Sequence, residues 1–196
     1  VAAEALLLSR HPRPRPPGRQ GKFQIAPASD RIGLRTPMAD SANKPRIALG
    51  ADHAGFHAKE VIRRYLAEQG YAVDDLGTQS EESVDYPDFA RQVAERVASG
   101  NAQLGVLVCG TGIGMAITAN KVPGIRAGTA HDEMTARLMR EHNDANVLTL
   151  GGRVVDDDKA LAIVREFLNA QFAGGRHQRR VEKINELDAQ RAAKGA

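Results

Sequence analysis

The segment Cys109-Gly-Thr-Gly-Ile-Gly114 has the residue types and the spacing best suited to chemistry. Its three glycines stand at alternate positions, which leaves backbone N–H groups free to point inward, and a predicted helix follows. Backbone donors backed by the start of a helix form anion-binding sites. A tight strand-to-helix turn also uses glycine, although one or two glycines usually suffice. We therefore interpret this segment as an anion-binding loop.

Cys109 is the single cysteine of the chain and stands immediately before the loop glycines. By itself, a cysteine at the end of an apolar run is more often a small buried hydrophobic residue. Its position changes this interpretation, because backbone donors close to the sulfur favour the thiolate, which is the reactive form. Cys109 is therefore a candidate for a chemical role.

Nucleotide-binding loops fit this segment poorly. A dinucleotide fingerprint needs a third glycine or an alanine, but that position is Met115 counted from Gly110 and Ile117 counted from Gly112. No acidic residue stands near the expected distance of ~20 residues, and no Lys-Ser or Lys-Thr pair indicates a P-loop. These departures disfavour a nucleotide-binding oxidoreductase, which an assay of nicotinamide absorbance would detect.

Two histidines stand in polar surroundings that suit a site. His53 follows Asp52 at the end of a predicted strand, and His142 precedes Asn143 in a predicted polar loop. Singly, a loop histidine is more often solvated than catalytic. No pair of histidines has the spacing of a zinc site, and a single cysteine adds little to a ligand set. We predict that the protein uses no metal and no cofactor.

Arg176 and Arg180 are four residues apart near the C-terminus. On a helix they would share one face. A solvated basic face is the simpler explanation for such a pair. The functional alternative is a forked clamp for a phosphate group.

Five short apolar runs, separated by amphipathic segments, must position these residues. This alternation predicts a doubly wound (Rossmann-like) α/β fold with a parallel five-stranded sheet, helices on both faces and a C-terminal helix. Ligands of such folds bind at the carboxyl ends of the strands, where most of the candidate residues stand. The predicted strands are residues 47–50, 71–76, 104–109, 125–129 and 147–151, and the predicted helices are 56–69, 115–121 and 132–141, with others beginning near 85, 156 and 177.

The net charge of +3 comes from the N-terminal part of the chain. Residues 1–40 carry seven Lys or Arg against three Asp or Glu, so the remainder is close to neutral. A near-neutral body argues against nucleic acid as a partner. No run of ~20 apolar residues predicts a membrane span. A lone thiol without a secretory signal suits the cytoplasm.

Residues 1–43 are predicted to be a disordered extension, and residues 44–196 to form the functional domain. The run His11-Pro-Arg-Pro-Arg-Pro-Pro-Gly18 cannot hold a helix, because proline removes donors and clashes with the preceding turn. A transit peptide remains an alternative, since the stretch is rich in arginine. Another alternative is that the sequence begins upstream of a natural start at Met38.

These segments together resemble type B ribose-5-phosphate isomerases, a family that also includes galactose-6-phosphate and allose-6-phosphate isomerases. Each motif is weak alone, but the combination is specific and runs in order from about residue 46 to 187. The residues before Lys44 have no counterpart in the family pattern. The matching segments are Gly50-Ala-Asp-His-Ala-Gly55, Asp85-Tyr-Pro87, Cys109-Gly-Thr-Gly-Ile-Gly114, Ala119-Asn-Lys121, Gly124-Ile-Arg126, His142-Asn-Asp-Ala-Asn146, Gly151-Gly-Arg-Val154 and Gly174-Gly-Arg-His-Gln-Arg179.

The resemblance implies a role for each candidate residue. Cys109 corresponds to the base that moves a proton between C2 and C1 of the sugar, and Thr111 would assist proton movement between oxygens. His142 corresponds to the residue that opens the furanose ring, with His53 as a competing candidate. The implied anion hole is Gly110, Gly112, Ile113 and Gly114; the implied sugar contacts are Asp52, His53, Tyr86 and Asn143; the implied phosphate contacts are Arg153, Arg176 and Arg180.

The implied activity is the interconversion of ribose 5-phosphate and ribulose 5-phosphate, a step of the pentose phosphate pathway. Family members are homodimers or dimers of dimers that share active sites between subunits. An isomerase of allose or galactose 6-phosphate remains an alternative, and an inactive sugar-phosphate sensor is argued against by the retained Cys109 and His142. One branch of the family replaces the cysteine with a glutamate just after the last loop glycine. Here that position is Met115, so Cys109 has no obvious substitute.

Overall fold

The computed structural model describes residues 44–195, which form five strands and six helices. The predictions for residues 1–43 lie outside this described part. No helix within it is long and apolar enough to cross a membrane. The strands are β1 Ile47–Ala51, β2 Val73–Asp75, β3 Leu104–Cys109, β4 Ala127–Thr129 and β5 Val147–Gly151, and the helices are α1 Phe56–Glu68, α2 Tyr86–Ala98, α3 Ile113–Ala119, α4 Glu133–Asn143, α5 Asp157–Asn169 and α6 Gln178–Gly195.

All five strands are parallel and lie in the order β2-β1-β3-β5-β4. The central strand β3 is buried along its whole length, as expected for a strand covered on both faces. Two hydrophobic clusters cover the sheet. One packs α1, α4 and α5 on one face, and the other packs α2 and α3 on the opposite face. The predicted doubly wound α/β fold with a C-terminal helix is confirmed.

The predicted placement of His142 in a loop is wrong. Helix α4 continues to Asn143, so His142 lies in its last turn. The helix ends where Asp144 adopts a left-handed backbone with φ 45°. The Asp144 carboxylate stabilises this ending, because it pairs with Arg126 at 2.8 Å and with Arg140 at 3.0 Å.

Other boundaries differ from the sequence predictions by a few residues. Helix α3 begins at Ile113 rather than at Met115, because the loop turns tightly at Gly112. Strands β2 and β4 are shorter than predicted, and each has three residues. These two strands form the sheet edges, where each has one neighbouring strand to pair with.

Candidate active site

The carboxyl ends of three adjacent strands bring one set of candidate residues together. Strands β1, β3 and β5 are neighbours in the sheet, and Ala51 aligns with Val108 and Cys109 with Gly151. Residues that follow these positions must therefore meet at the carboxyl ends of the strands. This strand-end group comprises Asp52, His53, Tyr86, Cys109, Gly110, Thr111, Gly112, Ile113, Gly114 and Arg153.

The glycine loop after β3 is held against its neighbours by close backbone packing. Gly112 has φ +80°, and a Cβ at that position would lie 2.9 Å from the Thr129 Cγ2 atom and 3.0 Å from the Leu150 carbonyl carbon. A Cβ on Gly151 would lie 2.8 Å from the Thr111 Cα atom. A side chain is therefore excluded at Gly112 by the left-handed backbone and the lack of space, and at Gly151 by the lack of space.

Cys109 ends β3 with its thiol under this loop. The side chain is buried, and its Sγ atom accepts a hydrogen bond from the Gly112 N–H group at 3.2 Å. The Cys109 carbonyl oxygen in turn accepts from the Gly152 N–H group at 2.8 Å. A backbone donor that points at a sulfur is the kind of contact that stabilises a thiolate. The loop thus holds its Gly112 amide against the sulfur.

Asp52 and His53 follow β1 and are anchored differently. The buried Asp52 carboxylate accepts the Gly55 N–H group at 3.0 Å and so caps a short 3₁₀ turn, His53–Gly55. The His53 Nδ1 atom lies 3.2 Å from both the amide nitrogen and the carbonyl oxygen of Val84. Both contacts use Nδ1, so Nε2 is the ring nitrogen left for a ligand.

Tyr86 and Thr111 flank the loop at the surface. The Tyr86 ring covers Gly114 closely, because a Cβ on Gly114 would lie 2.7 Å from two ring carbons. Tyr86 is 39% exposed and Ile113 is 54% exposed. The Thr111 hydroxyl accepts the Ile113 N–H group at 3.4 Å. This side of the loop is therefore open to a ligand.

Arg153 closes the loop from the β5 side. Its backbone N–H group donates to the Gly110 carbonyl oxygen at 3.1 Å. Its side chain lies along the same glycine, 3.5 Å from where a Gly110 Cβ would stand. The exposed guanidinium has no ion pair among residues 44–195, so it is available for an anion.

A second set of candidate residues lies at the other side of the sheet, near the amino ends of the strands. This helix-end group comprises His142, Asn143, Arg176 and Arg180. Helix α4 ends at Asn143, and β5 begins a few residues later at Val147. The five residues of β5 then span about 13 Å before its carboxyl end is reached. Within one chain, therefore, the fold does not bring His142 to Cys109.

His177 lies beside the helix-end group, and the sequence predictions did not single it out. Its ring stacks on the His142 ring with centroids 4.2 Å apart and planes 4° apart. The Nε2 atom of His177 lies 3.3 Å from the Arg176 Nε–H donor. Burial, followed by the positive charges of His142, Arg176 and Arg180, lowers the pKa of His177. Its position inside the segment Gly174-Gly-Arg-His-Gln-Arg179 was the signal that could have indicated it.

A metal site is not suggested by the described side chains. Among residues 44–195, no three His, Cys, Asp or Glu side chains cluster as metal ligands would. The metal-free prediction is left for experiment.

The fold and the strand-end group define an α/β protein whose glycine loop lies at the carboxyl ends of its parallel strands. A family model described as Ribose/Galactose Isomerase matches residues 47–184. This chain belongs to that family of isomerases, as its sequence predicted.

Relatives and solved structures agree with this assignment. The chain is 49% identical over 146 residues to ribose-5-phosphate isomerase B of Escherichia coli, covering 74% of this chain and 98% of that protein. It is similar to the structure of Clostridium thermocellum ribose-5-phosphate isomerase B at 52% identity and a TM-score of 0.73, covering 74% and 98% of the two chains. It is also similar to the Mycoplasma genitalium enzyme with bound ribulose 5-phosphate, at 43% identity and a TM-score of 0.71, covering 74% and 96%.

Proposed function

We propose that this protein interconverts ribose 5-phosphate and ribulose 5-phosphate, with Cys109 as the base. The observation that carries the proposal is the buried Cys109 thiol, which a backbone N–H group contacts at 3.2 Å inside the glycine loop. The names of the similar proteins support the choice of substrate. The cytoplasm is the proposed location, because an oxidised Cys109 could not act as a base.

Ring opening comes first, because the furanose form hides the carbonyl group. The hydroxyl at C1 loses its proton, the bond between C1 and the ring oxygen breaks, and the ring oxygen takes up a proton. An imidazole can perform both transfers, since it accepts and donates protons near neutral pH. We assign this step to His142, with His53 as the alternative.

Isomerisation then needs one base and stabilisation of one oxyanion. The Cys109 thiolate takes the proton from C2, and the electron pair forms an enediolate whose charge rests on the oxygen at C1. The backbone amides of the Gly110–Gly114 loop stabilise that charge. Thr111 assists a proton in passing from the oxygen at C2 to that at C1, and the thiol returns its proton to C1. C1 is reduced and C2 oxidised within one molecule, so the reaction needs no external electron carrier.

Substrate recognition is divided between the two groups of residues. Asp52, His53 and Tyr86 would contact the sugar from the strand-end group, and Asn143 from the helix-end group. Arg153, Arg176 and Arg180 would hold the phosphate, because guanidinium groups pair well with its oxygens.

A second copy of this chain would complete the site. The two groups lie at opposite ends of the strands of one sheet, so one substrate cannot reach both groups of a single chain. A homodimer, or a dimer of dimers, would place the helix-end group of one copy against the strand-end group of its partner. Ile113 and Ile117 support such an interface, because they are four residues apart on α3 and are 54% and 59% exposed.

The test is turnover of ribose 5-phosphate beside allose 6-phosphate and galactose 6-phosphate, with a chelator present throughout. We expect the pentose phosphate to have the highest kcat/KM and the chelator to have no effect. Faster turnover of a hexose phosphate would make that sugar, rather than ribose 5-phosphate, the substrate. The length of the pocket decides between the two. Activity lost in chelator and restored by a divalent ion would contradict the metal-free mechanism. Absence of turnover for all three sugars would overturn the proposal.

A further inference from the structure

The stacked pair of His142 and His177 has a definite arrangement of hydrogen bonds. The rings are nearly parallel at 4.2 Å, and His177 is 9% exposed. The Arg176 Nε–H group points at His177 Nε2 across 3.3 Å. A guanidinium can only donate, so His177 Nε2 must accept and the His177 proton must reside on Nδ1. The buried ring is therefore the neutral tautomer.

Two elements that are distant in sequence hold this stack together. After α5 the chain returns to the end of α4, where the Ala173 N–H group donates to the Glu141 carbonyl oxygen at 2.9 Å. Gly174 and Gly175 both have positive φ, and a short 3₁₀ turn then delivers His177 onto the His142 ring. The His177 N–H group closes the turn on the Gly174 carbonyl oxygen at 3.0 Å. Backbone hydrogen bonds thus hold the two rings against each other.

The charges around the pair oppose a second proton on it. His142 lies in the last turn of α4 with its ring stacked on His177. Burial and nearby positive charge lower the pKa of His177. A proton on the His142 ring therefore disfavours a proton on the His177 ring. The charged groups near the pair are Arg176 and Arg180 beside His177, and, at the end of α4, Glu141 paired with Arg137 and Asp144 paired with Arg126 and Arg140.

We propose that His177 is a positioning residue for His142: its buried neutral ring fixes the plane of the His142 ring, and its Nε2 atom holds the Arg176 side chain. This inference rests on the proposed function, in which His142 opens the sugar ring. Protonation of His177 would undo both tasks at once. A protonated Nε2 cannot accept from Arg176, and two stacked cations repel each other.

Two substitutions separate these tasks. His177→Phe keeps a flat ring for the stack but removes the acceptor for Arg176. His177→Gln keeps an acceptor oxygen but removes the ring. We expect His177→Gln to lower kcat by about 10- to 100-fold with little change in KM, because a misplaced catalytic group costs rate. We expect His177→Phe to keep most of kcat but to raise KM about three- to tenfold, because Arg176 must be ordered by the substrate.

The opposite pattern, or equal losses in both variants, would overturn the positioning role. Melting temperatures of both variants exclude unfolding as the cause. The wild type and His142→Ala serve as controls for the proposed function itself. If the wild type does not turn over ribose 5-phosphate, or if His142→Ala is fully active, the proposed function or the assignment of His142 has failed rather than the stack.

Titration of the ring protons by NMR tests the pair without any activity measurement. In the unliganded wild type we expect His177 to bind a proton only at a pH below that of an ordinary histidine. In His142→Phe, the pH at which His177 titrates should move upward, because a neighbouring cation is lost. Titration of His177 at an ordinary histidine pH, unchanged by His142→Phe, would overturn the inference.

Discussion

Cys109 combines two properties that a buried thiol seldom has together. It ends a fully buried strand, yet its sulfur accepts a backbone N–H group from a loop whose outer side is open. The closest alternative position for a base, Met115, is fully buried and carries no titratable group. The proposed removal of the C2 proton therefore depends on the Cys109 thiol alone.

Cys109→Ala should abolish isomerisation while leaving the fold intact. Removing one sulfur atom from the end of β3 leaves the loop contacts of the backbone in place. The measurement is exchange of the substrate C2 proton with solvent, which reports the base alone. Cys109→Ser is a matched control that keeps the size of the side chain but provides a poor base, and it should be nearly as inactive. Exchange at the wild-type rate in Cys109→Ala would rule out Cys109 as the base.

Gly114→Ala should weaken substrate binding without lowering stability. The added methyl group would stand 2.7 Å from the Tyr86 ring, which must move aside and can do so because it is 39% exposed. Alanine in place of a helical glycine also gains roughly 0.5–1 kcal/mol. We expect an unchanged or higher melting temperature and a KM raised by up to about tenfold, or ~1.4 kcal/mol.

The same substitution in a Tyr86→Ala background is the control for Gly114→Ala. With the ring gone, the added methyl group should change KM little. An equal rise in KM in both backgrounds would show that Tyr86 does not transmit the effect.

At the scale of elements, ion pairs of Lys59 with Glu60 and Asp75 join α1 to β2 beside the candidate site, and we call this cluster the clasp. Lys59 is completely buried, and its Nζ atom lies 2.6 Å from an Asp75 carboxylate oxygen and 2.7 Å from a Glu60 carboxylate oxygen. A lysine is buried in this way only when it is paired. Its aliphatic part packs on Gly77, and the next residue, Thr78, donates to the carbonyl oxygen of Ala51, which precedes Asp52. The clasp thus supports the end of β1 that carries the site.

The clasp should make stability depend on pH in acid. Hydrogen bonds from Arg63 and Lys59 lower the pKa of Glu60 from 4.5 to about 2. The unfolded chain therefore binds more protons than the folded one between those values, so the free energy of unfolding falls as pH falls from 4.5 towards 2. Glu60→Gln should flatten this part of the curve. The measurement is chemical denaturation at a series of pH values.

The control for Glu60→Gln is Glu68→Gln, which alters an exposed glutamate of the same helix. Its stability curve should keep the wild-type shape in acid. If Glu60→Gln also kept that shape, the clasp would make no measurable contribution.

At the scale of the whole molecule, the separation of the two residue groups is the main finding. The strand-end group contains Cys109, which we propose as the base, and the glycine loop, whereas the helix-end group contains His142 and two arginines. The strands are parallel to one another and the helices run antiparallel to them. The two groups therefore lie at opposite ends of the strands. A closed twofold assembly would then give two equivalent sites, each made from both copies.

Mixing Cys109→Ala and His142→Ala proteins should restore activity once subunits exchange. Each mixed dimer would hold one intact site and one site with both lesions. Random exchange makes half of the dimers mixed, so about a quarter of wild-type activity should return. No recovery after proven exchange would mean that both residues act within one chain or that His142 is dispensable.

The matched control for this experiment is a mixture of Cys109→Ala and Arg153→Ala. Both residues belong to the strand-end group, so every site in a mixed dimer carries one lesion. No recovery above the level of the separate variants is expected. Recovery there would show that activity returns for a reason other than shared sites.

The sequence by itself determined the sheet and one half of the candidate site. Apolar runs such as Leu104–Cys109 defined the strands, and their alternation with helices required a parallel sheet. Parallel strands end at a common edge, so residues that directly follow different strands must meet there. For this reason the meeting of Asp52, Cys109 and Arg153 could be predicted from local patterns alone.

Only the tertiary structure decided the other half of the candidate site, which is the helix-end group. Helix α4 extends past His142 and ends at Asp144, a left-handed residue that is paired with Arg126 and Arg140. The stack with His177 joins residues 35 positions apart, and the burial of Lys59 depends on Asp75, 16 positions away. Local sequence patterns encode hydrophobic faces and turns, but not which distant side chain will pair with a given polar group. Those pairings are fixed when the elements pack.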